Sequence, residues 1–269
     1  MGGWLPSRTR GQVSVVEALV ATLAALERPL LLALDVDGTL SPIVRDPDLA
    51  TIPAPTLSTL ASLAKAPMVE VAIITGRDLH SLSRMEQLEG VWRALEHGGS
   101  VIAPGEAPSR SELTDEHRDA LARFRQWVDT HAADAFIEYK PQAIAVHVRA
   151  IAENDAERAE RLLREADEFA LRLGLQVRRG KALREAEAVS HDKGSALREI
   201  FDRSGARSVF FAGDDLTDFP AIDFASAHGV GAFVRSDEQS DEPSSSAVLL
   251  QGVDEVAAVL SQLLRHVAT

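Results

Sequence analysis

Three short apolar runs set the outline of the chain. The first, Pro29-Leu30-Leu31-Leu32-Ala33-Leu34, is uninterrupted; residues 68–74 repeat it with one charge at Glu70, and residues 208–212 repeat it again. Runs of this length without polar alternation fit strands buried on both faces of a parallel sheet. Each run ends in polar residues: Asp35 and Asp37, then Thr75-Gly76-Arg77, then Gly213-Asp214-Asp215. Helical periodicity over residues 56–64, 79–88 and 193–201 lies between the runs. The order is therefore β-α-β, which predicts an α/β fold with a doubly wound, mostly parallel sheet. Ligands of such sheets bind beyond the carboxyl ends of the strands, where these polar residues fall.

Residues 106–185 have a different texture. Residues 113–132 and 155–173 predict two longer amphipathic helices, the second with Ala159, Leu162, Leu163, Ala166, Phe169, Ala170 and Leu173 on one stripe. Residues 135–139 and 143–149 predict a hairpin turned at Pro141-Gln142, and residues 176–179 and 182–185 two further strands around Gly180. The pattern predicts an α+β cap at 106–185, inserted between core segments 1–105 and 186–269. Near the start, Arg8 and Arg10 precede an alanine- and valine-rich run with the outline of a signal peptide, but Glu17 interrupts it. Val16, Leu19, Val20, Leu23 and Leu26 share one helical face instead, so an amphipathic first helix is expected. Residues 236–246 form an acidic, serine-rich loop.

A length of 269 residues agrees with two domains at roughly 150 residues each. Cysteine is absent, so any metal must sit on oxygen or imidazole, and a reducing, cytoplasmic setting is expected. With 41 acidic against 28 basic side chains the net charge is −13, which argues against a nucleic-acid partner while leaving room for a small anionic substrate in a local pocket. No apolar stretch approaches the roughly 18–20 residues that span a bilayer, so no membrane partner is expected.

The chemistry concentrates in Asp35-Val36-Asp37-Gly38-Thr39-Leu40. Residues two apart on an extended strand project to the same face, so Asp35 and Asp37 converge. Close carboxylates need a raised pKa or a cation, and Mg²⁺ suits oxygen-only ligands. A polar Asp-Gly turn is the plainer alternative; a calcium loop would place its glycine sixth rather than fourth. Asp214, Asp215 and Asp218 stand at a second strand end, where acids can cap a helix but the strand context favours a ligand. Thr75, Gly76 and Arg77 open a helix, a natural seat for phosphate. Lys193 opens another and is, taken singly, an ordinary surface lysine.

In this order, Asp-x-Asp-Gly-Thr, Thr-Gly-Arg, a lysine and Gly-Asp-Asp-x-x-Asp, the chain resembles the haloacid dehalogenase-like phosphohydrolases. Asp35 through Val44, Glu96-His97-Gly98-Gly99, Glu138-Tyr139-Lys140, His147-Val148-Arg149, and Gly180-Lys181 with Glu185 narrow the resemblance to the trehalose-6-phosphate phosphatase family. Three positions depart from that family's usual pattern: Glu187 and Ala188 stand where a basic residue and a proline are usual, and Phe219 where an acid is usual.

The resemblance implies a Mg²⁺-dependent hydrolase of trehalose 6-phosphate. Asp35 would be the nucleophile, Asp37 the general acid and base, and Thr75 and Lys193 the holders of the phosphoryl oxygens. Asp35, Asp37 through its backbone carbonyl, Asp214 and Asp218 would form the metal site. Gly76, Arg77, His97, Glu138, Lys140, His147, Arg149, Lys181 and Glu185 would bind substrate, although cross-strand pairing on a solvated hairpin is the plainer account of the hairpin charges. The partner is a small sugar phosphate and a monomer is expected. A phosphatase for sucrose 6-phosphate or a mannosyl-phosphoglycerate, or a catalytically silent sugar-phosphate sensor, is the alternative.

Overall fold

The computed structural model describes residues 14–44, 46–107, 113–140, 142–180, 182–188, 192–235 and 246–267. Arg8, Arg10, Lys181, the turn residue Pro141 and residues 236–245 lie outside them. In chain order the elements are α1 (Val15–Ala25), β1 (Leu30–Leu34), α2 (Ala54–Leu63), β2 (Val69–Ile74), α3 (Leu79–Met85), β3 (Val91–Leu95), β4 (Ser100–Ile102), α4 (Asp115–His131), β5 (Phe136–Tyr139), β6 (Ala143–His147), α5 (Arg149–Ala152), α6 (Ala156–Arg172), β7 (Gln176–Gly180), β8 (Leu183–Glu187), α7 (Lys193–Ser204), β9 (Ser208–Gly213), α8 (Phe219–His228), β10 (Gly229–Val234), β11 (Val248–Leu250) and α9 (Val253–Val267). They group into two compact units, one from residues 1–110 and 191–269, the other from residues 111–190.

The first unit is built on a sheet ordered β11-β10-β9-β1-β2-β3-β4 among the described residues. Every neighbouring pair is parallel except β3 with β4. Alternation along β1 explains the two layers of helices. Leu30, Leu32 and Leu34 pack with Leu19, Leu60, Leu82 and Leu260 on one face, whereas Leu31 and Ala33 pack with Leu197, Ile200 and Ile222 on the other. Both faces of the inner strands are therefore covered, which is why these runs are almost wholly apolar.

Helix ends are set locally. The Ser14 hydroxyl accepts from the Glu17 N–H at 3.1 Å while Glu17 accepts from the Ser14 N–H, fixing the start of α1 as an amphipathic helix that buries Val16, Leu19, Val20 and Leu23. Asp192 caps α7 through the Ser195 N–H at 2.7 Å, and Gly205, at φ 68°, ends it.

Several elements lie outside the sequence outline: β3, β4, β10, β11 and α9. Arg93 in β3 disguises a buried strand, because its guanidinium is neutralised by Glu86 at 2.6 and 3.0 Å and also donates to the Leu88 carbonyl.

The second unit carries an antiparallel sheet ordered β5-β6-β8-β7. Ile144, Val146 and Ala186 face α4 and α6 through Phe124, Val128, Leu162, Leu163 and Ala166. Buried Asp167 of α6 ties that face to the β7–β8 pair, accepting from Arg179 Nε at 2.9 Å and ion-paired with Arg184 Nε at 2.8 Å. The strand expected over 143–149 ends at His147. The Val148 N–H still reaches the Ala182 carbonyl, but Arg149 begins the short α5, whose Ile151 turns back into the core. Arg149 is consequently exposed and off the strand face.

Phe210, fully buried in β9, tests the sheet core. Phe210→Ala should destabilise the first unit by about 3–5 kcal/mol, whereas Leu171→Ala, on an exposed site of α6, should stay within about 0.5 kcal/mol. Urea unfolding of both variants checks this, and equal losses would contradict the packing described.

Candidate active site

The carboxyl ends of β1, β2 and β9 lie side by side, since β1 pairs with both β2 and β9. The Asp35 N–H donates to the Ala212 carbonyl of β9 at 3.0 Å, so the first residue beyond β1 is still held by its neighbour. The chain then turns sharply: the Leu40 and Ser41 N–H groups donate to the Val36 carbonyl, and the Gly38 N–H donates to the Ser41 carbonyl. Gly38 adopts φ +83°, and a Cβ there would lie 2.0 Å from Asp214 Oδ2. The turn needs glycine for its backbone and again for the carboxylate pressed against it.

Lys193 joins the distant segments. Its ammonium donates to Asp35 Oδ1 at 2.7 Å and to Asp218 Oδ1 at 2.6 Å, with all three side chains buried. Gly194 permits this approach, because a Cβ there would sit 2.7 Å from Pro220 of α8. The other oxygen of Asp218 accepts from the Asp214 and Asp215 N–H groups at 3.1 and 2.9 Å. Asp218 is thus anchored on both sides and shapes the turn that presents Asp214.

Ligand oxygens of Asp35, Asp214 and Asp218 lie within 4.8 Å of one another. Three buried carboxylates around one ammonium leave an excess of negative charge. Burial and the neighbouring Asp218 push the Asp214 carboxyl from its ordinary 3.8 up to about 7. Burial likewise pushes Asp35 well up, against the pull of Lys193. Burial alone would favour a neutral Lys193 amine, but Asp35 and Asp218 together outweigh it and hold the proton more tightly than usual. An all-oxygen donor set with surplus negative charge fits a hard divalent cation such as Mg²⁺.

Asp37 points elsewhere. Its two oxygens accept from Arg77 Nε and Nη2, both at 2.7 Å, and Arg77 Nη1 donates to Ser81 Oγ at 2.8 Å. Its side chain is not among the three clustered carboxylates. Arg77, expected on substrate, is here a bidentate partner of Asp37. Ser81, which steadies it from the next turn, is a residue that the sequence reading missed; its position four residues after Arg77 on a helix is the available signal. Thr75 is buried beside them, its hydroxyl accepting from the Arg77 N–H at 3.2 Å.

His97 reaches the same loop. It and Glu96 adopt φ 58° and 51°, unusual for non-glycine residues, and their N–H groups donate to the Thr75 and Arg77 carbonyls. Gly76 gives the ring room, as a Cβ would lie 2.5 Å from His97 Nε2. Phe219, in the position where an acid is usual, opens α8 and packs edge-on against Phe233.

The charged positions of the second unit form their own cluster. Lys140 Nζ donates to Glu185 Oε1 at 2.5 Å, His147 Nε2 lies 3.4 Å from Glu138 Oε2, and Glu187 pairs with Arg178 at 3.2 Å. Cross-strand pairing of these groups is therefore present. Burial raises the Glu187 carboxyl, while Arg178 opposes it. Arg149 is not in this cluster.

A family model described as trehalose-phosphatase matches residues 33–254, spanning the strand ends and the insertion between them. The chain belongs to the trehalose-phosphatase family. It is 32% identical over 246 residues to the trehalose-phosphate phosphatase of Mycobacterium ulcerans, covering 87% of this chain and 61% of that protein. It is 34% identical over 241 residues to an uncharacterized glycosyl hydrolase of Mycobacterium tuberculosis, covering 86% of this chain and 18% of that protein. The chain thus spans less than a fifth of one of these curated relatives and about three-fifths of the other. Trehalose-6-phosphate phosphatase of Aspergillus fumigatus shares the fold with a TM-score of 0.73 at 24% identity, over 93% of this chain and 97% of that one. A haloacid dehalogenase-like hydrolase of Bacteroides thetaiotaomicron shares it at a TM-score of 0.62 and 16% identity, over 86% and 98%. The trehalose-phosphatase fold here is thus haloacid dehalogenase-like, as its motifs imply. Among the described residues, no helix is long and apolar enough to cross a membrane.

The Asp214 shift sets a pH dependence. Between about pH 4 and 7 the metal-free folded protein keeps a proton that the unfolded chain has lost, so its stability falls as pH rises through that window. Mg²⁺ needs the ionised carboxylate, so its stabilisation should grow over the same window. Melting curves at pH 5.5 and 8 with and without Mg²⁺ should show the larger Tm increase at pH 8, and Asp214→Asn should abolish that difference. A Mg²⁺ effect independent of pH in the parent protein would refute the assignment.

Proposed function

We propose that this chain hydrolyses trehalose 6-phosphate to trehalose and phosphate through a phosphoryl-enzyme on Asp35. The observation that carries the reading is the buried Lys193 bridge between Asp35 and Asp218 beside Asp214. A phosphomonoester resists attack because nucleophile and ester are both anionic, so the site must neutralise charge and align the groups. An oxygen of Asp35 attacks phosphorus and the bond to the sugar oxygen breaks. Asp37 gives that oxygen its proton, then takes one from the water that cleaves the acyl phosphate, releasing phosphate and restoring Asp35. Lys193 holds a phosphoryl oxygen by a charge-assisted bond, and the Thr75 hydroxyl another. Asp35, Asp214 and the Asp37 backbone carbonyl would hold Mg²⁺, with Asp218 as support; bound there, the ion neutralises charge on the phosphoryl group.

Arg77 has a part in this scheme that follows from its bidentate bond. It holds the Asp37 carboxylate apart from the three clustered acids, and since both oxygens accept from the guanidinium, Asp37 must release an Arg77 bond before it carries the proton it gives. Glu138, Lys140, His147 and Glu185 offer donors and acceptors suited to sugar hydroxyls, and a sugar lacking the matching hydroxyls would leave them unpaired. Arg149 and Lys181 remain in the proposed substrate set from family resemblance alone. A second reading, a phosphatase for another glycosyl phosphate, is favoured by Glu187 and its Arg178 partner where the family usually carries a base.

Phosphate release with Mg²⁺ should be fastest on trehalose 6-phosphate against glucose 6-phosphate, sucrose 6-phosphate and a mannosyl phosphate. Asp35→Asn should lower kcat by about a thousandfold or more while still binding substrate. Preference for another glycosyl phosphate would establish the second reading. Normal binding by Asp35→Asn with no turnover by the parent protein would instead make the chain a sensor.

A further inference from the structure

The four-stranded sheet presents one face that its helices leave open, and one aromatic stands on it. Phe136 is 69% exposed, at the first position of β5. Residues two apart share a face, so Phe136 lies on the side of Glu138 and Lys140, opposite the helix-packed Ile137. Its cross-strand partner is His147, whose ring sits 5.3 Å away at a 55° tilt. His147 in turn lies 3.4 Å from Glu138. The Phe136 ring is thus propped by His147, beside a carboxylate and within the same face as the Lys140–Glu185 pair.

We propose that Phe136 is the platform on which the apolar C–H face of a pyranose ring of the substrate stacks, a specificity-determining contact for the sugar. The inference rests on the sugar-phosphatase reading above and adds a residue to it. A pyranose with equatorial hydroxyls has two chemically distinct surfaces, a rim of hydroxyls and flat faces of C–H groups. An aromatic face is apolar and carries negative quadrupolar charge, which complements polarised C–H groups. Glu138, Lys140 and Glu185 supply the rim with acceptors and a donor. An exposed Phe amid charged side chains has no such use for a sugarless phosphate. At 69% exposure the Phe136 ring gives the folded unit little by burial, so contact with a ligand would cost the fold nothing.

The readout is the ratio of kcat/KM for trehalose 6-phosphate to that for acetyl phosphate, measured with Mg²⁺. Phe136→Ala should lower this ratio about tenfold, mainly through KM for the sugar phosphate, whereas Phe136→Trp should keep it within about threefold. Melting temperatures of both variants should match the parent, which separates lost contact from lost fold. An unchanged ratio in Phe136→Ala, or an equal fall in Phe136→Trp, overturns the stacking role while leaving the phosphatase reading intact. Turnover of acetyl phosphate but of no sugar phosphate by the parent protein overturns both.

Discussion

The site depends on one buried ammonium. Lys193 belongs to a helix that starts after the insertion, yet its Nζ touches carboxylates from the ends of two neighbouring strands. Burying a lone ammonium is prohibitive, and burying three carboxylates together is worse. Placed together they are mutually tolerable, and the remaining negative excess defines what the site can accept. Everything nearby serves that arrangement. The Asp192 cap starts the helix at the right residue, glycines at 38 and 213 leave room for Asp214 and Asp218, Gly194 lets the helix approach Pro220, and the Asp214 and Asp215 N–H groups anchor Asp218.

The second unit solves a different problem, an open sheet with one face packed and one available. Its helices cover Ile144, Val146 and Ala186, while the opposite face holds paired charges. In the Lys140–Glu185 and Arg178–Glu187 pairs the base stays within reach of water while the acid is largely buried. Asp167, on the packed side, holds Arg179 and Arg184 and thereby keeps the β7–β8 strands on their helix. The packed face thus holds the fold, while the open face carries the side chains proposed to meet the sugar.

Much of the site was legible because Asp35, Thr75 and Asp214 each follow an apolar run, whereas Lys193 follows none. Strands buried on both faces are poor in charge, so the acids and hydroxyl at Asp35, Thr75 and Asp214 marked strand ends. The Asp37–Arg77 pair was not legible, since nothing local says that β1 and β2 are neighbours with these two side chains in reach. Nor was β3, where Arg93 looks like a solvated residue until Glu86 is placed against it. Arg149 misled for the opposite reason: alternation continued past His147 on paper, but burying Ile151 bent the chain into a helical turn. Phe136 carried no signal beyond its face, because an exposed aromatic and a buried one look alike in a strand pattern.

Gly38 offers a handle of a different kind. Its missing side chain leaves space that an oxygen of Asp214 fills, so the smallest possible addition, one methyl group, competes directly with a carboxylate rather than with the apolar sheet. Drift at this codon therefore meets two penalties together, the strain of a side chain at φ +83° and the displaced carboxylate. The same property gives an experimenter a way to silence the centre while keeping the scaffold that carries it.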